Sequence, residues 1–323
     1  MTSALAAAEA SGLLPAGRRV IVLLSGGRDS VCLLDVAVRL AGAGAVSAIH
    51  VDYGLRPESA VDARHCADIA GRLDVELVVH AAGPAPQTGN LHAWARDVRY
   101  GAAAQLALRA DARIAAGHTR TDQAETILYR LAASPGRRAL LGMPARDGRL
   151  IRPLLAVSRE DTAAHCRAHG LAWREDASNT DPRFARARVR EDLLPALRSL
   201  HPAAEENITR TAELLREEAA VLDDVVDTAL AGDDAIGVAH LEVLPEALQR
   251  LVVRRLAERA TGRLCARAAG RLSDILALDE GALDVGDGAR AVVSRGRLRF
   301  EASEGPARPG GRDGVPVDSP PYA

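Results

Sequence analysis

The run Ser25-Gly26-Gly27-Arg28-Asp29-Ser30 combines residue types that bind phosphate. It follows an apolar segment at 20–24 that predicts a buried strand, and it opens an amphipathic segment that predicts a helix. Free N–H groups and the dipole at a helix start attract anions, and glycines let the backbone approach a ligand closely. The serine hydroxyls add donors, and Asp29 offers a carboxylate of the kind that Mg²⁺ takes. The sequence therefore predicts a phosphate-binding loop with Asp29 as a metal ligand.

No lysine occurs anywhere in the chain, and every basic side chain is an arginine or a histidine. This excludes the GxxxxGK[ST] phosphate loop and any Schiff-base lysine. A lone Ser-Gly-Gly is typical of a surface turn. The longer pattern SGGxDS directly after an apolar strand is far more specific.

A second group of polar residues lies in AAGHTRTDQAETILYRL, residues 115–131, where a predicted strand gives way to a predicted helix. Asp122 and Glu125 are three residues apart and share one helix face. Paired carboxylates there can bind an amine or accept a proton. The alternative is a capping box with Asp122 as the N-cap, and spacing alone favours it.

Arginines form two further clusters. Arg96 and Arg99 lie one helical turn apart beside an apolar stripe, a spacing that suits phosphate contacts or an ordinary solvated face. Arg183, Arg186, Arg188 and Arg190 follow the run EDASN at 175–179. They predict a basic patch for a nucleic-acid backbone, or a helix whose arginines pair with Glu191 and Asp192.

Composition sets broader limits. The 323 residues are long enough for two domains, and a formal net charge of −2 does not by itself indicate a nucleic-acid-binding protein. The four cysteines are scattered without a CxxC pair, which argues against zinc, iron–sulfur and dithiol sites. We find no signal peptide and no membrane-spanning segment, and we expect a cytoplasmic protein.

Strand and helix signals alternate through residues 18–155, with apolar runs at 20–24, 46–51, 75–80 and 112–116. This alternation predicts an α/β fold, a Rossmann-like parallel sheet with helices on both faces. We expect this domain to cover residues 1–200. Residues 201–323 predict a smaller, mainly helical region with short β-hairpins and a disordered tail.

Taken together, the chain resembles the tRNA(Ile)-lysidine synthases, a PP-loop family of N-type ATP pyrophosphatases. The resemblance covers roughly residues 18–200. It rests on SGGRDS, HVDYGLR at 50–56, WARDVRY, GHTRTDQAET, IRPLL at 151–155, and EDASNTD with the arginines that follow it.

The resemblance implies a two-step ligase reaction. ATP adenylates carbon 2 of the wobble cytidine in an isoleucine tRNA with a CAU anticodon, and free L-lysine then displaces AMP to form lysidine. It implies that residues 25–30 hold the phosphates and that Asp29 also holds Mg²⁺. Asp122 and Glu125 would bind the substrate lysine and act on its amine. Arg96 and Arg99 would serve the tRNA or the adenylate, and Arg186 and Arg190 the tRNA backbone.

Some features depart from the family pattern. Tyr53 stands where histidine is common, Ala187 stands where asparagine is usual, and ASPG at 133–136 replaces an RGSG-like run.

The alternative functions are a PP-loop tRNA thiolase, which usually needs paired cysteines, an amidotransferase-type synthetase, and a non-catalytic ATP- or RNA-binding relative. The oligomeric state stays open, with a homodimer as one option.

Overall fold

The computed structural model describes residues 3–55, 59–134, 136–174 and 185–303. The chain forms two compact units, of which the first ends at Leu215 and the second begins at Arg216. This division falls inside the helix α10, Ala204–Leu230. Within the described residues, no helix is long and apolar enough to span a bilayer.

The first unit alternates strands and helices, as the sequence predicts. In chain order its elements are α1 Ala4–Ala10, β1 Val20–Leu23, α2 Arg28–Ala41, β2 Val46–Asp52, α3 Ser59–Arg72, β3 Glu76–Ala81, α4 Leu91–Ala110, β4 Arg113–Ala115, α5 Arg120–Ala133, α6 Arg137–Leu140, β5 Arg146–Asp147, β6 Leu150–Ile151, α7 Arg159–Ala168, α8 Ala185–Arg188, α9 Leu194–Leu200 and the start of α10. A π-helical turn, Val189–Leu193, joins α8 to α9.

These strands form one six-stranded sheet in the order β3-β2-β1-β4-β6-β5. Strands β1 to β4 and β6 run parallel, and only β5 is antiparallel. The chain builds outward from β1 through β2 to β3 and then returns to place β4 on the other side of β1. In open α/β sheets, such a reversal creates a crevice at the carboxyl ends of the strands, where ligands bind.

Alternate residues of β1 enter two different cores, because successive side chains of a strand point to opposite faces. Val20 and Val22 belong to the core that contains the buried side of α2. Ile21 and Leu23 belong to the core that contains Tyr100 and the alanines of α4. Helices therefore cover both faces of the sheet, which confirms the predicted fold class.

The sequence does not predict the two shortest strands of this sheet. Strands β5 and β6 contain two residues each, too few to show any hydrophobic period. The first two strand–helix units match the expected positions to within about two residues, since each joins a long apolar run to a long amphipathic one.

The second unit contains the rest of α10, α11 Val238–Val243, α12 Glu246–Thr261, α13 Leu272–Leu276, β7 Ala235–Gly237, β8 Gly281–Gly286, β9 Ala289–Ser294 and β10 Arg297–Ala302. Its sheet is antiparallel, in the order β7-β10-β9-β8. The hairpin turns at 287–288 and 295–296 have positive φ at both residues, which matches the right-handed twist of the strands. The predicted helices and hairpins are thus confirmed; the predicted disordered tail after Gly305 lies outside the described residues.

Gln123 holds the segment after α6 against α5. Its side-chain amide donates to the carbonyl of Met143 at 2.8 Å, and its oxygen accepts from the Met143 N–H at 2.7 Å. All these groups are buried. We expect Gln123→Leu to lower the free energy of unfolding by about 2–4 kcal/mol, since two buried backbone groups lose their partners. Urea denaturation measures this.

The matched control for that change is Gln105→Leu, because Gln105 is an exposed residue of α4. Its unfolding free energy should stay within about 0.5 kcal/mol of the wild type. Equal stability of the two variants would contradict the structural role given to Gln123.

Candidate active site

The loops that follow β1 and β4 meet at the reversal point of the sheet. A Cβ atom added to Gly117, which follows β4, would lie 2.9 Å from the carbonyl oxygen of Asp29 and 3.2 Å from the Ser30 nitrogen. Real Cβ atoms do not approach backbone this closely, so glycine is needed at this position. The two loops are therefore held in direct backbone contact.

The predicted phosphate-binding loop is ordered by its own serines. The Ser30 hydroxyl donates to the Gly27 carbonyl at 2.8 Å and accepts from the Ser25 N–H at 3.2 Å. Gly27 is the N-cap of α2 and has no side chain to cap the helix. The helix start consequently offers its first N–H groups to a ligand, the arrangement expected of an anion site.

The carboxylate of Asp29 lies where α2 meets α7. The Thr162 hydroxyl donates to Asp29 Oδ1 at 2.5 Å, and the Arg159 and Arg28 guanidinium groups lie 3.5 and 3.3 Å from its oxygens. Its side chain is about one-fifth exposed. A single, partly exposed carboxylate beside a phosphate loop fits Mg²⁺, which is often held by one carboxylate together with substrate phosphates.

The start of α5 differs from the capping interpretation. Thr119 is the N-cap, and Asp122 is the third helical residue, which accepts from the Thr119 N–H and hydroxyl at 2.8 Å each. The alternative with Asp122 as N-cap and Glu125 as its box partner is therefore wrong. The reason is that Thr119 lies three residues before Asp122 and completes the same motif one turn earlier.

Glu125 lies one turn after Asp122 and forms a bidentate ion pair with Arg190. Arg190 Nε and Nη2 donate to the two Glu125 oxygens at 2.5 and 2.8 Å, and Nη2 also lies 3.5 Å from Asp122 Oδ1. The Glu125 side chain is only 4% exposed. The structure thus brings the two predicted carboxylates together, with the cation of Arg190 between them.

The two carboxyl groups differ in proton affinity. Burial raises the pKa of Glu125 above its usual value, although Arg190 acts in the opposite direction. Burial also disfavours the ionised form of Asp122, but its pKa is lowered overall because the hydrogen bonds from Thr119 and the positive charge of Arg159 favour the carboxylate. Of the pair, Glu125 is therefore the group that more readily takes a proton.

His118 directly precedes the N-cap of α5 and lies within electrostatic range of two arginines of α4. Burial lowers the pKa of His118 to about 3, and the positive charges of Arg152, Arg99 and Arg96 act in the same direction. The imidazole is therefore neutral at physiological pH. Arg96 and Arg99 both lie over the Tyr100 ring, 4.8 and 5.2 Å from its centroid, and are half-buried.

The predicted arginine patch divides into residues with different surroundings. Arg190 lies in the site and contacts Glu125 and Asp122, whereas Arg186 and Arg188 of α8 are exposed. Arg183 and the run EDASNTD at 175–181 lie outside the described residues.

Sequence reasoning missed the contributions of Thr162, Arg159 and His118. No local motif marks the first two, because their contact with Asp29 joins segments more than 100 residues apart. For His118, its position directly after a predicted strand was an available signal, but a single histidine is more often structural.

A polar cavity of about 320 Å³ lies next to the start of α5. Its lining mixes both signs of charge, from Arg120, Arg198, Glu160, Glu205 and Glu206. Thr121, which directly precedes Asp122, donates its hydroxyl to Glu205 at 3.1 Å. Such a lining suits a small zwitterion.

All four cysteines are reduced and buried. The Cys166 thiol of α7 donates to the Arg28 carbonyl of α2 at 3.6 Å, and Cys32 and Cys166 are both 0% exposed. A sulfur-transfer reaction needs a cysteine that the substrate can reach. The cysteines therefore give no support to the thiolase alternative.

Comparison with known proteins places this site in a family. Residues 4–197 match the PP-loop domain family. The tRNA(Ile)-lysidine synthase of Symbiobacterium thermophilum is 39% identical over 93% of this chain and 68% of its own length. Those of Salinispora tropica and Thermobifida fusca are 41% and 39% identical, over 88% and 82% of this chain and 91% and 84% of their own lengths.

Solved structures share the architecture at much lower identity. The U34-tRNA thiolase NcsA from Methanococcus maripaludis, solved with its [4Fe-4S] cluster, has a TM-score of 0.55 and 16% identity over 66% of this chain and 78% of its own. At this identity the match supports the fold alone.

The contact at Gly117 gives a direct test of the site. We expect Gly117→Ala to weaken ATP binding at least roughly tenfold, because the added methyl group would push the start of α2 away from its position. Isothermal titration with ATP and Mg²⁺ measures the affinity.

The control is Gly101→Ala in α4, where an added Cβ meets open space and alanine favours the helix. This variant should bind ATP as the wild type does. Wild-type ATP affinity in Gly117→Ala would show that the two loops do not need their close contact.

Proposed function

The chain belongs to the tRNA(Ile)-lysidine synthase family of PP-loop ligases, and from this premise we propose how its own residues carry out the reaction. It is an ATP-dependent, tRNA-modifying ligase. The observation that carries the proposal is the contact between the phosphate loop and the start of α5 through Gly117. This contact puts the anion-binding helix start and the carboxylate pair at one crevice.

In the first step, the loop from Ser25 to Ser30 binds the phosphates of ATP, and oxygen 2 of the wobble cytidine attacks the α-phosphorus to give an adenylate and pyrophosphate. The N–H groups at the start of α2 stabilise the charge that develops on the departing pyrophosphate. Arg28 and Arg159 lie beside Asp29 and add positive charge at the same place. When bound, Mg²⁺ held by Asp29 would neutralise further phosphate charge.

In the second step, the ε-amine of free lysine attacks carbon 2 of the cytidine and releases AMP. An amine attacks only when it is neutral, and lysine in water carries a proton up to a pKa near 10.4. Asp122 and Glu125 would bind the ammonium group, and Glu125, with its raised pKa, is suited to accept the proton. The mixed-charge cavity beside Thr121 would hold the amino-acid end of the lysine.

Arg190 acts as the resident cation of the carboxylate pair in this proposal. It occupies the place that the lysine ammonium needs, through two short bonds to Glu125. Substrate lysine must displace it or share the carboxylates with it. An unpaired buried carboxylate destabilises the folded protein, so a cationic partner in the free enzyme keeps the site ordered.

The remaining arginines are assigned to the tRNA(Ile) substrate. The positive charges of Arg96 and Arg99 reach His118, and these two arginines would contact the adenylate or a tRNA phosphate. The exposed Arg186 would bind the tRNA backbone farther out.

We assign adenylation to residues 1–200 and tRNA contact to residues 201–323, and we place the enzyme in the cytoplasm, where its tRNA is found.

The activity is tested by incubating the protein with ATP, Mg²⁺, labelled lysine and a tRNA(Ile) transcript with a CAU anticodon. We expect label in the RNA together with one AMP per lysine incorporated. The control transcript carries uridine in place of the wobble cytidine and should remain unlabelled. If label from cysteine sulfur enters the tRNA and lysine does not, the proposed function is wrong.

Asp29→Asn tests the phosphate site in the same assay. The change preserves size but removes the negative charge, so AMP formation should fall by at least roughly a hundredfold. The control is Asp97→Asn, because Asp97 is exposed on α4. Normal AMP formation by the Asp29 variant would contradict its assignment.

Substitutions of Glu125 and of the exposed Arg186 should weaken the binding of different substrates, lysine in the first case and tRNA in the second. We expect Glu125→Gln to raise the KM for lysine at least roughly tenfold while ATP binding is kept, because the ammonium group loses a charged partner. Arg186→Ala should leave the KM for lysine unchanged and weaken tRNA binding. The slope of the logarithm of the tRNA-binding constant against the logarithm of the salt concentration should fall by about one in magnitude. An unchanged KM for lysine in the Glu125 variant would show that Glu125 does not bind the substrate and has only a structural role.

A further inference from the structure

Three side chains with metal-ligand chemistry meet where α2 packs against α7, away from the carboxylate pair of α5. They are Asp35 of α2, His165 of α7 and His169 at the end of α7. One ligand atom from each lies within 4.8 Å of those of the other two. A small ion placed among them can therefore reach all three after only small side-chain movements.

The two histidines are four residues apart at the end of α7 and share one side of it. Their ring centroids are 4.3 Å apart, with the planes inclined by 31°. A pair of histidines at this spacing is a recurrent way to hold a metal on a helix. Asp35 adds a carboxylate from a separate helix, so the ion would be bound across the α2–α7 contact.

Backbone groups orient the outer histidine for this role. His169 Nδ1 lies 2.9 Å from the His165 carbonyl oxygen. Since a carbonyl only accepts, Nδ1 carries the hydrogen, and the lone pair of the ring is on Nε2. Histidines that bind metals commonly donate their second N–H to such a carbonyl, which fixes the ring. Arg72 also donates to the carbonyls of His169 and Gly170.

The site is enclosed on one side and reachable on the other. The side chains of Asp35 and His165 are 3% and 4% exposed, whereas His169 is half-buried and leads to solvent. His165 Nε2 donates to Asp35 Oδ2 at 2.7 Å. A metal would take the place of that hydrogen between the same two groups, and the proton would move to Nδ1 of the His165 ring.

A competing cation is already present. Arg39 Nε donates to Asp35 Oδ2 at 2.6 Å, and the Arg39 side chain is 41% exposed. An exposed arginine can turn to solvent when a divalent ion takes its place on the carboxylate. The competition gives the site a measurable signature, because removing Arg39 should favour the ion.

We propose that Asp35, His165 and His169 form a binding site for a divalent transition-metal ion of the zinc class. Two imidazoles and one carboxylate match the ligands that Zn²⁺ prefers, and water would complete the coordination. The bound ion would join α7 to α2, the helix whose first turn carries Asp29. This inference does not depend on the proposed tRNA reaction.

The test is zinc titration of the full chain, stripped of metal and kept in excess Mg²⁺ so that oxygen-rich sites are filled. We expect one Zn²⁺ per chain by calorimetry, together with a rise in Tm. His169→Ala should weaken zinc binding at least roughly tenfold, and His169→Gln is the second variant if alanine impairs folding. His240→Ala is the control, because His240 is exposed and lies in the second unit.

Arg39→Gln gives the opposite expectation. This variant should bind Zn²⁺ more tightly than the wild type by several-fold, because the competing guanidinium is gone. Unchanged or weaker zinc binding in Arg39→Gln would contradict the ligand set.

Two further results would overturn the site. One is wild-type zinc affinity in both His169 variants. The other is a strong sulfur-to-metal absorption band when Co²⁺ replaces Zn²⁺, which would place the ion on cysteines instead. Weak d–d bands without that absorption support nitrogen and oxygen ligation.

Discussion

The close backbone contact between Gly117 and the start of α2 is the constraint on which the rest of the site depends. It follows from the sheet order, because β1 and β4 are neighbours and the loops after them share one edge. A side chain at this position would collide with the Asp29 carbonyl. With glycine there, an anion-binding helix start and a helix that carries two carboxylates open into the same crevice. Phosphate chemistry and amine chemistry can then proceed on one bound nucleotide.

Charge inside the crevice is balanced between residues that lie far apart in sequence. Asp29 is paired with Arg28 and Arg159, and Glu125 with Arg190. Each carboxylate therefore has a cationic partner before any substrate arrives, as buried charges require. In the proposed reaction the substrates supply charges of matching kind: the phosphates of ATP would meet the arginines and helix N–H groups, and the ammonium group of lysine would meet the carboxylates. In the free site, Arg190 thus supplies the kind of charge that the ammonium group of lysine would bring.

The sheet and the phosphate loop were predictable from the sequence. The parallel sheet follows from alternating apolar and amphipathic segments, and the phosphate loop from SGGRDS after an apolar run, because both are local patterns. The partners of those residues were not predictable. Thr162 contacts Asp29 across 133 residues. Arg190, for which the sequence predicts a tRNA contact or a pairing with Glu191 and Asp192, forms an ion pair with Glu125 that no local pattern indicates. Side-chain pairing over such separations depends on helix packing, which a single sequence does not display.

The central claim is that this crevice cleaves ATP between its α and β phosphates to activate a tRNA base before any amine is needed. Exchange of labelled pyrophosphate into ATP, measured with tRNA(Ile) present and lysine absent, tests it most directly. We expect exchange that requires the tRNA and stops when the wobble cytidine is replaced. Release of ADP and phosphate in place of exchange would contradict it, because the bond broken would then be between the β and γ phosphates.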